Sequence, residues 1–314
     1  MGLTIGVDVG GTKIAAGVVD DSGAVLESER IATPASDTEA VAAAIGELIG
    51  ALAGRHRVEA VGVGAAGWVD AARTTVLFAP NLAWRDVPLR DAVQEACGLP
   101  VVVENDANAA AWGEYRFGAG AGVEDLLCIT VGTGIGGGIV AGGELYRGGF
   151  GIGAEVGHLR VIPEGRRCSC GNKGCWEQYA SGRAMVTEAR QVVESGSLLG
   201  ARLAELAGGD PAALTGPMVT AAAAEGDELS CDLLDEVGQW LGEGLASLVA
   251  VLDPGLVVMG GGVSEAGELL AAPARRALTR HLTGRRFRPV VELRLASLGN
   301  SAGMVGAADL ARRR

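Results

Sequence analysis

The sequence predicts an α/β protein built from two related halves. Three observations carry this: strand and amphipathic helix alternate up to Tyr115, a hairpin turned on glycine opens the chain, and a second glycine-turned hairpin starts at Leu126. The 314 residues are about twice the roughly 150 typical of one domain, so two lobes are expected.

Leu3 to Val9 is an apolar run of strand length, Gly10 and Gly11 supply a turn, and Ile14 to Asp20 returns as a second strand. Thr38 to Leu52 places Val41, Ala44, Ile45, Leu48, Ile49 and Leu52 on one helical face, and Val58 to Gly64 reads as a buried strand. A helix over Asp91–Cys97 is ended by Gly98 and Pro100; Val101 to Glu104 is a strand, and helix resumes over Ala107–Tyr115. After a glycine-rich loop, Gly118 to Gly122, the second hairpin comprises Leu126 to Val131 and Gly138 to Val140. It echoes the first without a fixed short period, which excludes a solenoid and makes a cleft between halves the natural site. Leu229, Leu233, Val237, Trp240, Leu241, Leu245, Leu248 and Leu252 mark a long helix, followed by a strand over Leu256–Met259 and a turn at Gly260 to Gly262. A last helix starts at Ser301, with Asn300 or Ser301 as its cap.

Composition narrows function. The chain is 48% hydrophobic, enough for a real core, and carries 26 basic against 38 acidic residues, a net charge of -12 that disfavours nucleic acid as a partner. The N-terminus shows no signal peptide or myristoylation pattern, and Asp253 and Pro254 interrupt the apolar stretch at 245–259, so no membrane span and a cytoplasmic location are expected. Six cysteines are too few for a disulfide scaffold; Cys97, Cys128 and Cys231 read as core, while Cys168, Cys170 and Cys175 cluster.

Four motifs carry chemistry. In Asp8-Val-Gly10-Gly11-Thr12-Lys13 a glycine turn lets backbone N–H groups approach an anion, Thr12 and Lys13 add donors, and Asp8 is a candidate magnesium carboxylate. Gly132-Thr133-Gly134-Ile-Gly-Gly formally fits a dinucleotide fingerprint, but a strand rather than a helix should follow, which leaves phosphate binding and argues against a Rossmann site. Glu104-Asn105-Asp106 sits between strand and helix, where Asp106 can accept a hydroxyl proton and Asn105 can hold neighbouring hydroxyls; either also suits a helix N-cap. Cys168, Cys170 and Cys175 with His158 form a Cys3His set suited to structural zinc, flanked by Glu155 and Glu177, so that a polyol could meet His158 and both glutamates.

Taken in order, Asp8 to Lys13, Glu104-Asn105-Asp106, Leu126 to Gly138, Glu155-Val-Gly-His158 and Cys168-x-Cys170-Gly-x-x-Gly174-Cys175-x-Glu177 resemble the ROK family, and within it the bacterial sugar kinases, over essentially the whole chain. The resemblance implies an actin-like, ribonuclease H-like ATPase fold of two lobes with nucleotide and sugar in the interlobe cleft, here taken as a small lobe of 1–109 plus 301–314 and a large lobe of 110–300 holding the zinc loop. It implies that Asp8 organises magnesium, that Gly10, Gly11, Thr12, Lys13, Thr133 and Gly134 surround the phosphates of ATP, and that Gly260, Gly261, Gly262 and Val263 border adenosine. It makes Asp106 the general base and assigns sugar binding to Gly67, Asn81, Asn105, Asp106, Glu155, His158 and Glu177. The expected reaction is ATP-dependent phosphorylation of glucose at its 6-hydroxyl, in a homodimer or homotetramer. Alternatives are another hexose such as N-acetylmannosamine, fructose, mannose or allose, polyphosphate as donor, or a sugar-sensing regulatory protein. The family's repressors carry an N-terminal helix-turn-helix domain, whereas here the phosphate motif falls within the first residues, which disfavours a repressor. At Ala66 in Gly64-Ala-Ala66-Gly67 many relatives have proline.

Overall fold

In the computed structural model, which describes residues 2–34, 37–79, 82 and 84–313, the first hairpin is β1 (Leu3–Val9) and β2 (Lys13–Val19), extended by β3 (Val25–Ala32). There follow α1 (Thr38–Ala53), β4 (Val58–Ala65), the short strands β5 (Trp68–Val69), β6 (Val76–Phe78) and β7 (Arg85–Val87), α2 (Leu89–Cys97), β8 (Val101–Asn105) and α3 (Asp106–Phe117). The second hairpin is β9 (Leu126–Val131) and β10 (Ile135–Ala141), with β11 (Glu144–Tyr146) after it. Beyond lie α4 (Glu177–Ala180), α5 (Gly182–Glu194), α6 (Ala201–Leu206), α7 (Gly216–Ala224), α8 (Glu228–Leu252), β12 (Leu256–Gly260), α9 (Glu268–His281), β13 (Glu292–Leu295) and α10 (Ala302–Arg312).

The echo seen in the sequence is a repeated topology. One sheet has the order β3-β2-β1-β4-β8 and the other β11-β10-β9-β12-β13, so each places its first strand centrally, its hairpin partner on one side and its fourth and fifth strands on the other. In the first sheet β1 runs antiparallel to β2 and parallel to β4, and β4 is parallel to β8, connections that need crossover helices. Its central strands are buried on both faces, which is why they read as unbroken apolar runs: Ile5, Val7, Val61, Val63 and Val103 are all fully buried with Ile45, Ile49 and Leu52 of α1.

Contacts divide the chain into one unit of residues 1–128, 137–155 and 296–314 and another of 129–136 and 156–295. The lobe boundary expected at residues 109 and 300 would cut α3. The rest of α3 belongs with the first unit because Trp112 Nε1 donates to Asp309 of α10 at 2.9 Å, and Glu114 accepts the backbone N–H groups of Ser297 and Leu298 at 3.0 and 2.8 Å. The second unit is mainly helical, with α8 and α9 packed together.

Two details differ from the sequence reading. No side-chain cap starts α10, because residues 299–301 form a 3-10 turn leading directly into it. Cys128 is core, but Cys97 and Cys231 are half-buried. Among the described residues no helix is long and apolar enough to cross a membrane.

Candidate active site

Parallel pairing sets Asp8, Gly64 and Glu104 in one register row and Val9, Ala65 and Asn105 in the next, so the polar ends of β1 and β8 lie at the same end of the sheet, either side of β4. There α3 begins. Asn105 is its N-cap, with extended backbone and Oδ1 accepting the Asn108 N–H at 2.9 Å. With Oδ1 engaged, its Nδ2 donates to Gly67 O at 3.1 Å and to Asp106 Oδ1 at 3.0 Å. Asp106 Oδ1 also accepts the Ala107 N–H at 2.9 Å. Capping thus falls to Asn105 and leaves Asp106 as the candidate base.

Burial, reinforced by the negative charge of Asp8, opposed by the Ala107 N–H and reinforced again by Glu155, pushes the Asp106 carboxyl up to about 7. Burial likewise raises Asp8, with Lys13 opposing. Two buried carboxyls disfavoured as anions suit a cation, which makes Asp8 a candidate ligand for magnesium.

The loop after β4, which carries Ala66 and Gly67, is tied to the same end. The Ala66 N–H donates to Val9 O at 3.1 Å, a bond that proline at this position could not make. In the opening turn, Gly10 N donates to Lys13 O at 3.0 Å and Thr33 Oγ1 to Gly10 O at 2.8 Å, while the side chains of Thr12 and Lys13 face solvent. Asn81 lies outside the described residues.

The second unit holds the other glycine turn. Gly132 N donates to Gly134 O at 3.0 Å and Gly182 N to Gly132 O at 2.8 Å, leaving Thr133 exposed. Strand β10 follows, which excludes the helix a Rossmann site requires. Gly132, Thr133, Gly262 and Val263 line one wall of a cavity of about 860 Å³, whose other wall comes from α5 and from residues 214–224 around α7. The size suits a nucleoside. That second wall, including Arg183 and Thr215, was not legible beforehand; a proline and glycine at the start of α7 were its only local signal.

In the cysteine loop the ligand atoms of His158, Cys168, Cys170 and Cys175 lie within 4.8 Å of one another. Cys170 Sγ and Cys175 Sγ are 3.6 Å apart, as are Cys168 Sγ and His158 Nδ1. Tetrahedral zinc with bonds of about 2.3 Å to sulfur needs sulfurs about 3.8 Å apart, so the set fits zinc. Burial pushes the Cys168 thiol up to about 12, with Glu177 adding to the shift. Glu177 is attached to the cluster: its Oε1 accepts from Cys168 Sγ at 3.1 Å and stands 3.8 Å from His158 Nδ1. A Cβ on Gly134 would fall 2.4 Å from Glu177 Oε2, so the second glycine turn and the cysteine loop are neighbours.

Glu104 has a role that its place in the Glu104-Asn105-Asp106 motif does not reveal. It is buried, and both of its oxygens are used, by Asn105 N and Asn108 Nδ2 on one side and by Arg73 and Arg147 on the other.

Duplicated sheets, each led by a glycine-turned hairpin, with carboxylates at the strand ends, define a two-lobed ATPase of the actin-like, ribonuclease H-like fold. The chain belongs to the ROK family, whose model matches residues 4–314. It is 50% identical over 312 residues to a glucokinase of Streptomyces coelicolor, covering 99% of this chain and 98% of that one. A crystal structure of a ROK family glucokinase from Streptomyces griseus in complex with glucose and AMPPNP superimposes with a TM-score of 0.94 at 53% identity, covering 100% of both chains. A ROK hexokinase from Thermus thermophilus gives a TM-score of 0.79 at 38% identity, over 99% of this chain and 98% of that one.

Proposed function

We propose that this protein is an ATP-dependent glucokinase that transfers the γ-phosphoryl group to the 6-hydroxyl of glucose, with Asp106 as general base. The observation that carries the reading is Asp106 itself: a carboxyl at a strand end, oriented by Asn105 and the Ala107 N–H, with its proton affinity near neutrality. Likeness to a glucokinase holding glucose and a nucleotide analogue supports both substrates.

Asp106 takes the proton of the attacking hydroxyl, while Asn105 and the Gly67 backbone hold adjoining hydroxyls and Glu155 contributes from the same unit. In the second unit His158 and Glu177 carry the same sugar assignment. The amides and side chains of the two glycine turns receive phosphate oxygens, and Gly260 to Val263 border the nucleoside. Phosphoryl transfer asks mostly for alignment and charge stabilisation, which such donors supply. Magnesium, held through Asp8, would neutralise phosphate charge; zinc, held by His158, Cys168, Cys170 and Cys175, would fix the loop that presents Glu177.

The test is phosphorylation by the purified protein across glucose, mannose, fructose and N-acetylmannosamine with ATP or polyphosphate, alongside Asp106→Asn. Glucose with ATP should give the highest kcat/KM and a 6-phosphate product, and the variant should lose about a thousandfold or more in kcat while keeping sugar affinity. Preference for another sugar or donor, sugar binding without turnover, or a variant of near-normal rate would each overturn part of the reading.

A further inference from the structure

Glu104 closes β8 with a side chain only 1% exposed, a costly place for a carboxylate unless every lone pair is met. Its Oε1 accepts Asn105 N at 3.0 Å and Asn108 Nδ2 at 3.2 Å. Its Oε2 accepts Arg73 Nε at 3.0 Å, and Arg147 Nε lies 2.8 Å away as an ion pair whose N–H points off the hydrogen-bond line. Arg147 uses its other two nitrogens on backbone, donating from Nη1 to Ala71 O at 2.9 Å and from Nη2 to Asp70 O at 2.8 Å. Asp70 in turn orders the turn that follows it by accepting from Thr74 N at 2.8 Å, Thr74 Oγ1 at 2.7 Å and Thr75 N at 3.2 Å.

Three stretches that carry proposed sugar contacts therefore meet on one carboxylate: the loop after Gly67, the Asn105–Asp106 turn, and the segment from Arg147 toward Glu155. A buried ion cluster is a poor source of stability, since apolar side chains of similar volume often do as well. What it supplies is direction, because a guanidinium fork fixes the planes of its partners.

We propose that Glu104 and Arg147 are positioning residues for the phosphoryl acceptor: together they set the Asn105–Asp106 turn against the sugar-side loop, so that base and hydroxyl meet in one geometry. The proposal rests on the sugar-kinase reading above. Neither residue takes or gives a proton.

Charge bookkeeping makes it testable. Glu104 with Arg73 and Arg147 sums to one positive charge; Glu104→Gln raises this to two, Arg147→Met lowers it to zero, and the double variant restores one. With the wild-type rate on glucose and ATP established first, each single variant should lose about tenfold to a hundredfold in kcat per active site, as expected for a misplacement near 1 Å, with KM for ATP unchanged. The double variant should be no slower than Glu104→Gln rather than showing the product of both losses. Arg147→Lys keeps the charge but not the fork, so it should recover the melting temperature without recovering kcat. If Glu104→Gln gives no cooperative melt, the double variant and Arg147→Lys decide. Arg147→Lys at the wild-type kcat, or strictly multiplicative losses in the double variant, would overturn the proposal. A wild-type protein without kinase activity would instead remove the reading on which it rests.

Discussion

Asn105 Nδ2 stands 3.0 Å from Asp106 Oδ1 and 3.1 Å from the carbonyl oxygen of Gly67, so a single amide joins the candidate base to the loop after β4. The helix cap enforces that arrangement. Because Oδ1 must accept the Asn108 N–H, the amino end of the amide is the end left for Asp106. The helix cap and the proposed sugar contact therefore fall on one side chain.

The first prediction concerns pH. With its carboxyl raised to about 7 by burial, then by Asp8 and Glu155, Asp106 must lose a proton before it can act, so kcat/KM should rise with pH through an inflection near 7. The sign for stability is opposite. The folded state holds this proton more tightly than the unfolded chain, whose carboxyl has the ordinary value of 3.8, so stability falls as pH rises from about 4 to 7. Asp106→Asn removes that loss and should be more stable than the wild type at pH 8, by an unfolding free energy on the order of a few kcal/mol that vanishes below about pH 4. Rate profiles and thermal melts check both statements; an inflection near 4 would show that the environment does not raise this group.

A second prediction concerns the cysteine loop. Cys170→Ser leaves three ligands where a closed tetrahedral site needs four, so zinc measured in the purified protein should drop from about one ion per chain to nearly none. Because His158 is itself one of the four ligands and Glu177 stands beside the loop they hold, the sugar affinity proposed for Glu177 and His158 should weaken with it, seen as a higher KM for glucose. Unchanged zinc content would show that the ligand set is wrong, and lost zinc with an unchanged glucose KM would separate the loop from the sugar.

The parts legible in the sequence share one physical character. Strands β1, β4, β8, β9 and β12 are buried and bounded by turn residues, and α1 and α8 present long apolar stripes. What escaped lacks that contrast. Strand β3 is an edge strand with mostly exposed side chains, β5 to β7 are two or three residues long, and α9 carries Pro273 in its interior. The Glu104 cluster escaped for another reason: its arginines come from distant segments, and nothing in the sequence distinguishes a buried charge from a solvated one. The resemblance to the ROK family contributed what spacing could not, namely the expectation that Gly67 and Asn81 meet the sugar.

The last prediction separates backbone geometry from ligand contact at the proposed nucleoside border. Gly261 has φ 88° and ψ 168°, a region that is essentially closed to residues with a Cβ. A Cβ there would also lie 2.6 Å from both N and O of Val131, backbone atoms of β9 that cannot turn away. Gly261→Ala must therefore displace the segment carrying Val263, whose Cγ2 packs close to Gly182 on the cavity wall. Stability should fall by about 1–3 kcal/mol, as is typical of one residue strained in this way, and KM for ATP should rise about tenfold while KM for glucose stays near its wild-type value. Gly262→Ala is the control, since a Cβ at that position meets nothing within 4 Å and should leave the melt unchanged. If the nucleoside lies against residues 261–263, the added methyl of Gly262→Ala meets it directly, and KM for ATP rises without any loss of stability. Wild-type ATP kinetics in both variants would place the nucleoside elsewhere.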